Sequence, residues 1–224
     1  MEFTFTQFIF TVLPYLTFTV FVSGIVWRLY LFVQGNVTSS PLFPYASSGI
    51  MEKAIIYSRQ ILLFTPLFRN DKKLWLCSWL FHLSLALIVI GHIRMFLGIK
   101  ITEHAAFILG TFFGLIFLST ILLLLFRRLG EVRIISTIED YLVLLLLLSL
   151  AITGLVMRLS GQQYDFSGYL PSLIGLSPRV PEFDSVLAAH ALLAQVLIAY
   201  LPYGKLFHSI GAFVTSYLPL RWQE

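Results

Sequence analysis

The sequence predicts an all-α membrane protein with five transmembrane helices. Three observations lead to this fold class. The 224 residues are 58% hydrophobic and 12% charged, whereas a soluble domain carries about twice that share of charge. The mean hydropathy is +0.88. Five apolar runs reach the roughly 20 residues that cross a bilayer, and many of the aromatic residues lie at their ends, as at membrane interfaces.

The predicted spans follow one another without an internal repeat, and we treat residues 1–224 as a single transmembrane domain. They are residues 8–32, 74–97, 105–126, 141–159 and 186–208. The first contains Pro14 near its start. It is too long for a signal peptide and lacks a basic n-region and a cleavage site, so we expect a genuine span. The last passes Pro202 and is expected to continue as a helix toward Tyr217.

Two connections carry features of their own. In the connection 33–73, the apolar stretch Ala54–Phe68 is too short to span a membrane and ends in the basic cluster Arg69, Lys72 and Lys73. This pattern fits an interfacial amphipathic segment, a docking surface for a cytoplasmic partner, or a plain helix lying on the surface. The polar loop 160–184 is expected to form a small cap on the outer face.

The distribution of basic residues predicts the orientation. Of the 15 Lys and Arg residues, eleven fall on one side of the predicted spans. Because cytoplasmic loops are enriched in Lys and Arg, we expect an outward N-terminus and a cytoplasmic C-terminus. The four on the outer side are Arg94, Lys100, Arg158 and Arg179.

The net charge of +4 does not predict nucleic-acid binding, because the basic residues punctuate the apolar runs and form no soluble patch. The single cysteine, Cys77, excludes an internal disulfide. It also excludes a cysteine-ligated iron–sulfur cluster held by this chain alone and covalent haem attachment through C-x-x-C-H.

Four of the five histidines lie inside predicted spans, where ionisable residues are costly and therefore mark functional sites. The second span contains His82 and His92, and the fifth contains His190 and His208. Single histidines in membranes also serve as hydrogen-bonding groups between helices. Two on each of two antiparallel spans favour ligation of two b-type haems, His82 with His208 on the cytoplasmic side and His92 with His190 on the outer side.

Helical geometry adds a constraint to this pairing. An 18-residue spacing is about five turns, so His190 and His208 share a face of a continuous helix. The ten-residue spacing of His82 and His92 leaves them about 80° apart, and the rises differ, about 15 Å against about 27 Å. We therefore expect the fifth helix to be tilted or bent, with Pro202 as the place for a kink.

Other chemistries fit the sequence less well. Zinc and di-iron sites recruit carboxylates or thiolates, and the spans offer almost none. Proton relays and transporters also use intramembrane carboxylates or broken helices. A haem-free structural anchor, in which the histidines only pack, stays open as the alternative.

The motifs resemble the gamma subunit of respiratory nitrate reductase, a five-helix di-haem cytochrome b. The resemblance rests on L-P-Y at Leu13–Tyr15, W-R at Trp27–Arg28, L-F-H-x9-H at Leu80–His92, R-R-L at Arg127–Leu129 followed by Arg133, and L-P-Y-G-K-L-F-H at Leu201–His208. The resemblance implies the same pairing, with the inner haem on His82 and His208 and the outer haem on His92 and His190.

The longer first connection, ending in L-F-R-N-D-K-K-L-W-L (Leu67–Leu76), resembles the branch found in transmembrane redox complexes of sulfate reducers and in membrane-bound heterodisulfide reductases. That branch implies a cytoplasmic iron–sulfur partner resembling heterodisulfide reductase and, in many cases, a periplasmic multihaem cytochrome c. The expected location is the cytoplasmic membrane of a bacterium or archaeon.

Two sets of polar residues are candidates for further contacts. In the related nitrate reductase subunit a lysine lies near the quinone site. Here Ile101 occupies that position, so Lys100 and His104 are the candidates for binding menaquinone, or they only lie at the interface. The candidate partners of the haem propionates are Arg127, Arg128 and Lys205 on the inner side and Arg94 and Arg179 on the outer side. The expected function is electron transfer between quinone, or a cytochrome c, and the iron–sulfur partner, by a subunit inactive alone.

Overall fold

The computed structural model describes residues 4–34, 50–161 and 164–208, and this part of the chain is helical with no β-strand. The α-helices are α1 Phe5–Thr11, α2 Leu13–Gln34, α3 Ile50–Leu63, α4 Thr65–Asn70, α5 Lys72–Phe96, α6 Glu103–Leu129, α7 Ile138–Leu159, α8 Tyr169–Ile174 and α9 Ser185–Tyr200. Short 3-10 turns cover Arg133–Ile135 and Lys205–Phe207.

Four helices in the described residues are long and apolar enough to cross a membrane: α2, α5, α6 and α7. Many of their large apolar side chains are exposed, including Phe112 and Phe126 of α6 and Leu142 of α7. Lipid tails are apolar, so exposed apolar side chains on this scale suit a membrane. A helix also pairs its backbone polar groups within its own segment, as a bilayer requires. The protein is therefore a multi-pass membrane protein.

The predicted span boundaries agree with the helices to within a few residues for α5, α6 and α7. The first predicted span differs, because it divides at Val12 into α1 and α2. Pro14 is the second residue of α2, and a proline is accommodated in the first turn of a helix but not in its interior.

The chain forms two compact units. The first comprises Met1–Thr19 with Leu80–Ala199, and the second comprises Val20–Trp79 with Tyr200–Glu224.

In the first unit, α6 and α7 form an antiparallel hairpin, and the core between them and α5 contains Phe81, Phe117, Ile121, Leu144 and Leu147. Polar contacts fix both ends of the hairpin. At one end the Arg128 guanidinium lies 3.0 Å from the buried Asp140 carboxylate. At the other end, Arg158 donates to the carbonyl of Ala106 at 2.7 Å.

A second apolar cluster in the same unit joins α1, α9 and the segment around α8. Its buried residues are Ile9, Phe10, Phe166, Leu187 and Ala188. Two hydrogen bonds to the backbone of α1 accompany this packing. Tyr169 donates to the Phe10 carbonyl at 2.8 Å, and Gln195 of α9 donates to the Ile9 carbonyl at 2.9 Å. The short helix α1 is thus anchored by tertiary contacts, which a seven-residue helix needs for stability.

The expectation that the fifth helix runs through Pro202 is wrong, because α9 ends at Tyr200 and a turn follows. Proline lacks the N–H that an α-helix needs and disfavours helical geometry in the residue before it. His190 and His208 therefore do not share one continuous helix, and the structure places no kink inside α9. The predicted continuation from 209 to Tyr217 lies outside the described residues.

Within the second unit, Arg28 of α2 holds this turn. Its guanidinium donates to the carbonyls of Pro202 at 3.0 Å and Tyr203 at 2.9 Å, and it lies over the Phe207 ring. Gly24 allows the close approach, since a Cβ there would lie 2.6 Å from Cγ of Pro202. Two carbonyls of the turn that follows the helix are thus satisfied by a side chain.

The stretch Ala54–Phe68 folds as the end of α3 and most of α4, separated by Phe64 in the left-handed region with φ of 48°. The Trp75 and Trp79 indoles donate to the carbonyls of Leu63 and Leu62 at 2.7 and 3.2 Å. These bonds satisfy carbonyls at the end of α3. The predicted role of this segment, at a membrane surface or in binding a partner, stays a prediction.

Candidate haem site

Two predicted ligands come together in the first unit. His92 on α5 and His190 on α9 have ring centroids 6.1 Å apart, and the ring planes differ by only 10°. Among the described contacts, the two histidines make no hydrogen bond to each other. Each ring is instead held from its Nδ1 side.

His92 is held by its own helix. Its Nδ1 lies 2.8 Å from the carbonyl oxygen of Ile88, one turn earlier on α5. A carbonyl can only accept, so Nδ1 carries the proton. The Nε2 atom of His92 then carries the lone pair, which is what a metal requires of a neutral imidazole.

His190 is held by a neighbouring helix. Its Nδ1 lies 2.8 Å from Oγ1 of Thr153 on α7. A Cβ added to Gly154 would lie 3.3 Å from Cε1 of His190. The small residue at position 154 therefore permits the close approach of α7 to the ring.

This arrangement fits a haem held by two imidazoles. A metal–imidazole bond is about 2 Å long, so two imidazoles on opposite sides of one metal ion have ring centroids about 6 Å apart. The observed separation of 6.1 Å and near-parallel planes match that requirement. In the part of the chain that the structure describes, no three His, Cys, Asp or Glu side chains gather as they do around a single metal ion. A haem needs only two.

The other predicted pair is divided between the units. His82 lies on α5 in the first unit, where its ring meets the buried Phe81 ring edge-on with centroids 5.1 Å apart. His208 follows the 3-10 turn Lys205–Phe207 in the second unit, and its Nδ1 lies 2.8 Å from the Lys205 carbonyl. That carbonyl again assigns the proton to Nδ1. The pairing of His82 with His208 stays a prediction.

Lys100 and His104, the candidates for a quinone site, are exposed beside the α5–α6 turn. The Asp165 carboxylate of the loop after α7 lies within the electrostatic range of Lys100. Hydrogen bonds from Ser167 are the main cause that lowers the pKa of Asp165, and Lys100 contributes less. No described contact joins Lys100 or His104 to the histidine pair.

Several candidate propionate partners already have protein partners. Arg128 pairs with Asp140, Arg127 lies 3.6 Å from Glu131, and Arg94 donates to the Ile99 carbonyl at 2.7 Å. Arg179 and Lys205 have exposed side chains. The role of these five residues as propionate partners stays a prediction.

Sequence reasoning missed Thr153 and Gly154. The available signal was a hydroxyl and a glycine side by side in the apolar run of α7, since small and hydroxyl residues mark contacts between membrane helices. Their distance along the chain from His190 concealed which side chain they contact.

Comparison with known proteins assigns the family. Residues 65–224 match the family model described as nitrate reductase gamma subunit. This range exceeds half of the chain and contains all five histidines. The chain belongs to the nitrate reductase gamma subunit family.

Two curated relatives extend the family match toward the N-terminus. The Hdr-like menaquinol oxidoreductase cytochrome b-like subunit of Archaeoglobus fulgidus is 28% identical, covering 90% of this chain and 76% of that protein. The protein of the same name from Archaeoglobus profundus is 27% identical, covering 92% of this chain and 76% of its own length. The predicted resemblance to the nitrate reductase gamma family is confirmed.

Proposed function

We propose that this chain is the di-haem cytochrome b subunit of a membrane redox complex. It passes electrons between menaquinol, or a periplasmic multihaem cytochrome c, and a cytoplasmic iron–sulfur subunit resembling heterodisulfide reductase. Membership of the gamma subunit family and the names of the two Archaeoglobus relatives support this proposal. The proposed location is the cytoplasmic membrane of a bacterium or archaeon, with the N-terminus outside and the C-terminus inside.

The observation that carries the proposal is the pair of near-parallel rings of His92 and His190. Acceptors of the protein engage both Nδ1 atoms, which leaves the two Nε2 atoms to bind iron. A structural histidine in a membrane helix would more simply hydrogen-bond its neighbour. Two histidines separated by the width of one iron and its bonds favour ligation.

The protein supplies the ligands, their orientation and an apolar surrounding. A haem bound there supplies a one-electron carrier whose potential depends on its ligands, hydrogen bonds and burial. His82 and His208 are the proposed ligands of the second haem, toward the cytoplasmic side. Two haems held by these pairs would supply a path for electrons through the apolar core in either direction.

The proposal is tested by counting haems in variants of the purified chain. We expect two b haems per chain in the wild type, by reduced-minus-oxidised spectra and pyridine haemochrome assay. His92→Ala and His190→Ala should each lose one haem. The double variant should also lose only one, since both residues serve the same iron. His104→Ala should keep both haems.

A folded wild-type chain with no haem, despite an adequate haem supply, would contradict the proposal and favour the haem-free structural anchor. Loss of both haems in the His92→Ala, His190→Ala double variant, with one lost in each single variant, would contradict the pairing. In that case the two histidines serve different irons.

Quinone binding by Lys100 and His104 is tested separately. We expect a Lys100→Ala, His104→Ala double variant to keep both haems but to be reduced more slowly by a menaquinol analogue. Reduction by dithionite serves as the control, because it needs no quinone site. An unchanged rate of reduction by the analogue would exclude a role for these two residues.

A further inference from the structure

The hydroxyl of Thr153 makes two kinds of contact, and together they assign its proton. Its Oγ1 lies 2.8 Å from the carbonyl oxygen of Ser149 and 3.2 Å from that of Leu150. It also lies 2.8 Å from Nδ1 of His190. A threonine hydroxyl has one proton, and carbonyl oxygens can only accept.

Only one placement of the protons therefore makes each of these short contacts a hydrogen bond. The Thr153 hydroxyl donates to the backbone of α7, and Nδ1–H of His190 donates to Thr153. His190 is left with its lone pair on Nε2.

We propose that Thr153 is a positioning residue for His190, fixing the tautomer and the ring orientation with which this histidine binds the outer haem. The proposal rests on the proposed function and adds a residue to it. The groups that hydrogen-bond the far nitrogen of a metal-binding histidine fix its orientation and raise its basicity. Their loss costs about 10- to 100-fold in metal affinity or activity.

The two ligands of the pair differ in a way that makes the proposal testable. His92 is oriented by a backbone carbonyl of its own helix, which no side-chain substitution removes. His190 is oriented by a side chain on a different helix. A substitution at position 153 therefore acts on only one of the two proposed ligands.

The test compares Thr153→Val, Thr153→Ser and a control, Ser149→Ala. Valine keeps the shape of threonine but removes the acceptor, whereas serine keeps the hydroxyl. Ser149 donates from its side chain to the Leu145 carbonyl of the same helix at 2.9 Å, so its removal deletes a comparable hydroxyl without touching His190. The outer haem is identified as the one lost in His92→Ala.

We expect Thr153→Val to raise the midpoint potential of the outer haem, because its axial imidazole becomes less basic, and to speed the loss of this haem on dilution. The low-spin electron paramagnetic resonance signal of the outer haem should shift as well. The potential of the other haem should stay unchanged. Thr153→Ser and Ser149→Ala should behave as the wild type does.

A Thr153→Val chain with the wild-type potential, signal and haem retention would overturn the proposal. The same holds if Thr153→Ser shows the valine phenotype, since packing rather than the hydroxyl would then be responsible. Both outcomes leave a wild type with two haems, so the proposed function survives them.

A measurement on the wild type covers the case in which the valine variant fails to fold. In the reduced, diamagnetic full chain, nitrogen NMR with labelled histidine should show His190 protonated at Nδ1. Protonation at Nε2 would overturn the proposal directly. If the purified chain proves to hold no haem, the proposed function fails, and with it the role of Thr153 in positioning a haem ligand.

Discussion

At the scale of single residues, buried polar side chains supply hydrogen-bond and charge partners that the surrounding apolar side chains cannot. Asp140 is one example. Its carboxylate accepts from the backbone N–H of Thr137 at 2.9 Å and from the Thr137 hydroxyl at 3.1 Å, and it pairs with Arg128 at 3.0 Å. One carboxylate thus caps the start of α7 and attaches it to the end of α6.

We expect Asp140→Asn to lower the free energy of unfolding by about 1–3 kcal/mol, since the charge-assisted bonds are lost while a neutral acceptor remains. Arg127 and Glu131 provide the matched control. They form an exposed ion pair at 3.6 Å, so Glu131→Gln should change stability by less than about 0.5 kcal/mol. Thermal unfolding in detergent, followed by circular dichroism, measures both. Equal effects would refute the structural role of Asp140.

Gly24 and Gly114 each lie where a side chain from elsewhere in the chain comes close to the helix backbone. A Cβ at Gly24 would lie 2.6 Å from Cγ of Pro202 and 2.8 Å from Cζ of Tyr203, both parts of rings. A Cβ at Gly114 would lie 2.9 Å from the flexible Cδ2 tip of Leu155. Alanine gains about 1 kcal/mol over glycine in a helix, and overpacking costs about 1–3 kcal/mol.

We therefore expect Gly24→Ala to lower the unfolding temperature and Gly114→Ala to leave it unchanged or raise it slightly. The Leu155 tip can rotate away at Gly114, whereas the two rings at Gly24 cannot. The same thermal unfolding assay measures both variants. A higher unfolding temperature for Gly24→Ala than for Gly114→Ala would show that the turn after α9 can shift to make room for the added methyl group.

At the scale of elements, the start of α9 depends on one side chain. Asp184 accepts from the backbone N–H of Leu187 at 2.7 Å and from the Tyr164 hydroxyl at 2.8 Å. The Leu187 bond is the main cause that holds the pKa of Asp184 below its usual range. Burial, aided by Asp184, raises the pKa of Tyr164 to about 12. The helix that presents His190 thus begins at a titratable cap.

The signs of these shifts predict the pH dependence of the cap. Because the pKa of Asp184 is lower in the folded state, its contribution is present above the unfolded value of about 3.9 and is lost as the pH falls through the folded value. The pKa of Tyr164 is raised, so its contribution is present below about 10 and is lost as the pH rises toward 12. The cap should be most stable between these limits.

We expect acid to loosen the first turn of α9 in the wild type. In Asp184→Asn the stability of this turn should depend less on acid, since an amide oxygen still caps the helix but does not titrate in this range. Hydrogen exchange of the 184–190 peptide, corrected for intrinsic pH dependence, measures the turn. Asp165→Asn, which alters a carboxylate in the same loop that caps no helix, is the control and should keep the wild-type profile.

At the scale of the whole molecule, the predicted orientation can be tested on two exposed sites. Ile134 lies in the turn between α6 and α7 and is fully exposed at 100%, and Ile174 of α8 is 76% exposed. The excess of basic residues predicts that the first faces the cytoplasm and the second faces outward. The two sites are therefore expected on opposite sides of the membrane.

In a Cys77→Ser background, Ile174→Cys should react with a membrane-impermeant maleimide on intact cells. Ile134→Cys should react only after the cells are made permeable. Labelling in the reverse order would invert the topology and exchange the inner and outer haem assignments. Labelling of both sites on intact cells would contradict a membrane-embedded α6–α7 hairpin.

The sequence by itself determined which segments form the long membrane helices, because crossing a bilayer depends on the length and hydropathy of a local stretch. The boundaries of α5, α6 and α7 therefore agree with the prediction. It also determined the family, since motifs such as the two histidines of α5 stand in the primary sequence at recognisable spacing.

Only the tertiary structure decided how the chain ends its helices and orients the proposed haem ligands. Pro202 was visible in the sequence, but whether it kinks a helix or ends it depends on tertiary contacts, and Arg28 binds the carbonyls of the turn from far along the chain. The tautomer of His190 likewise depends on Thr153, a residue of another helix. A hydrogen bond is short-ranged in space and takes no account of sequence separation, so no local pattern could have revealed either partner.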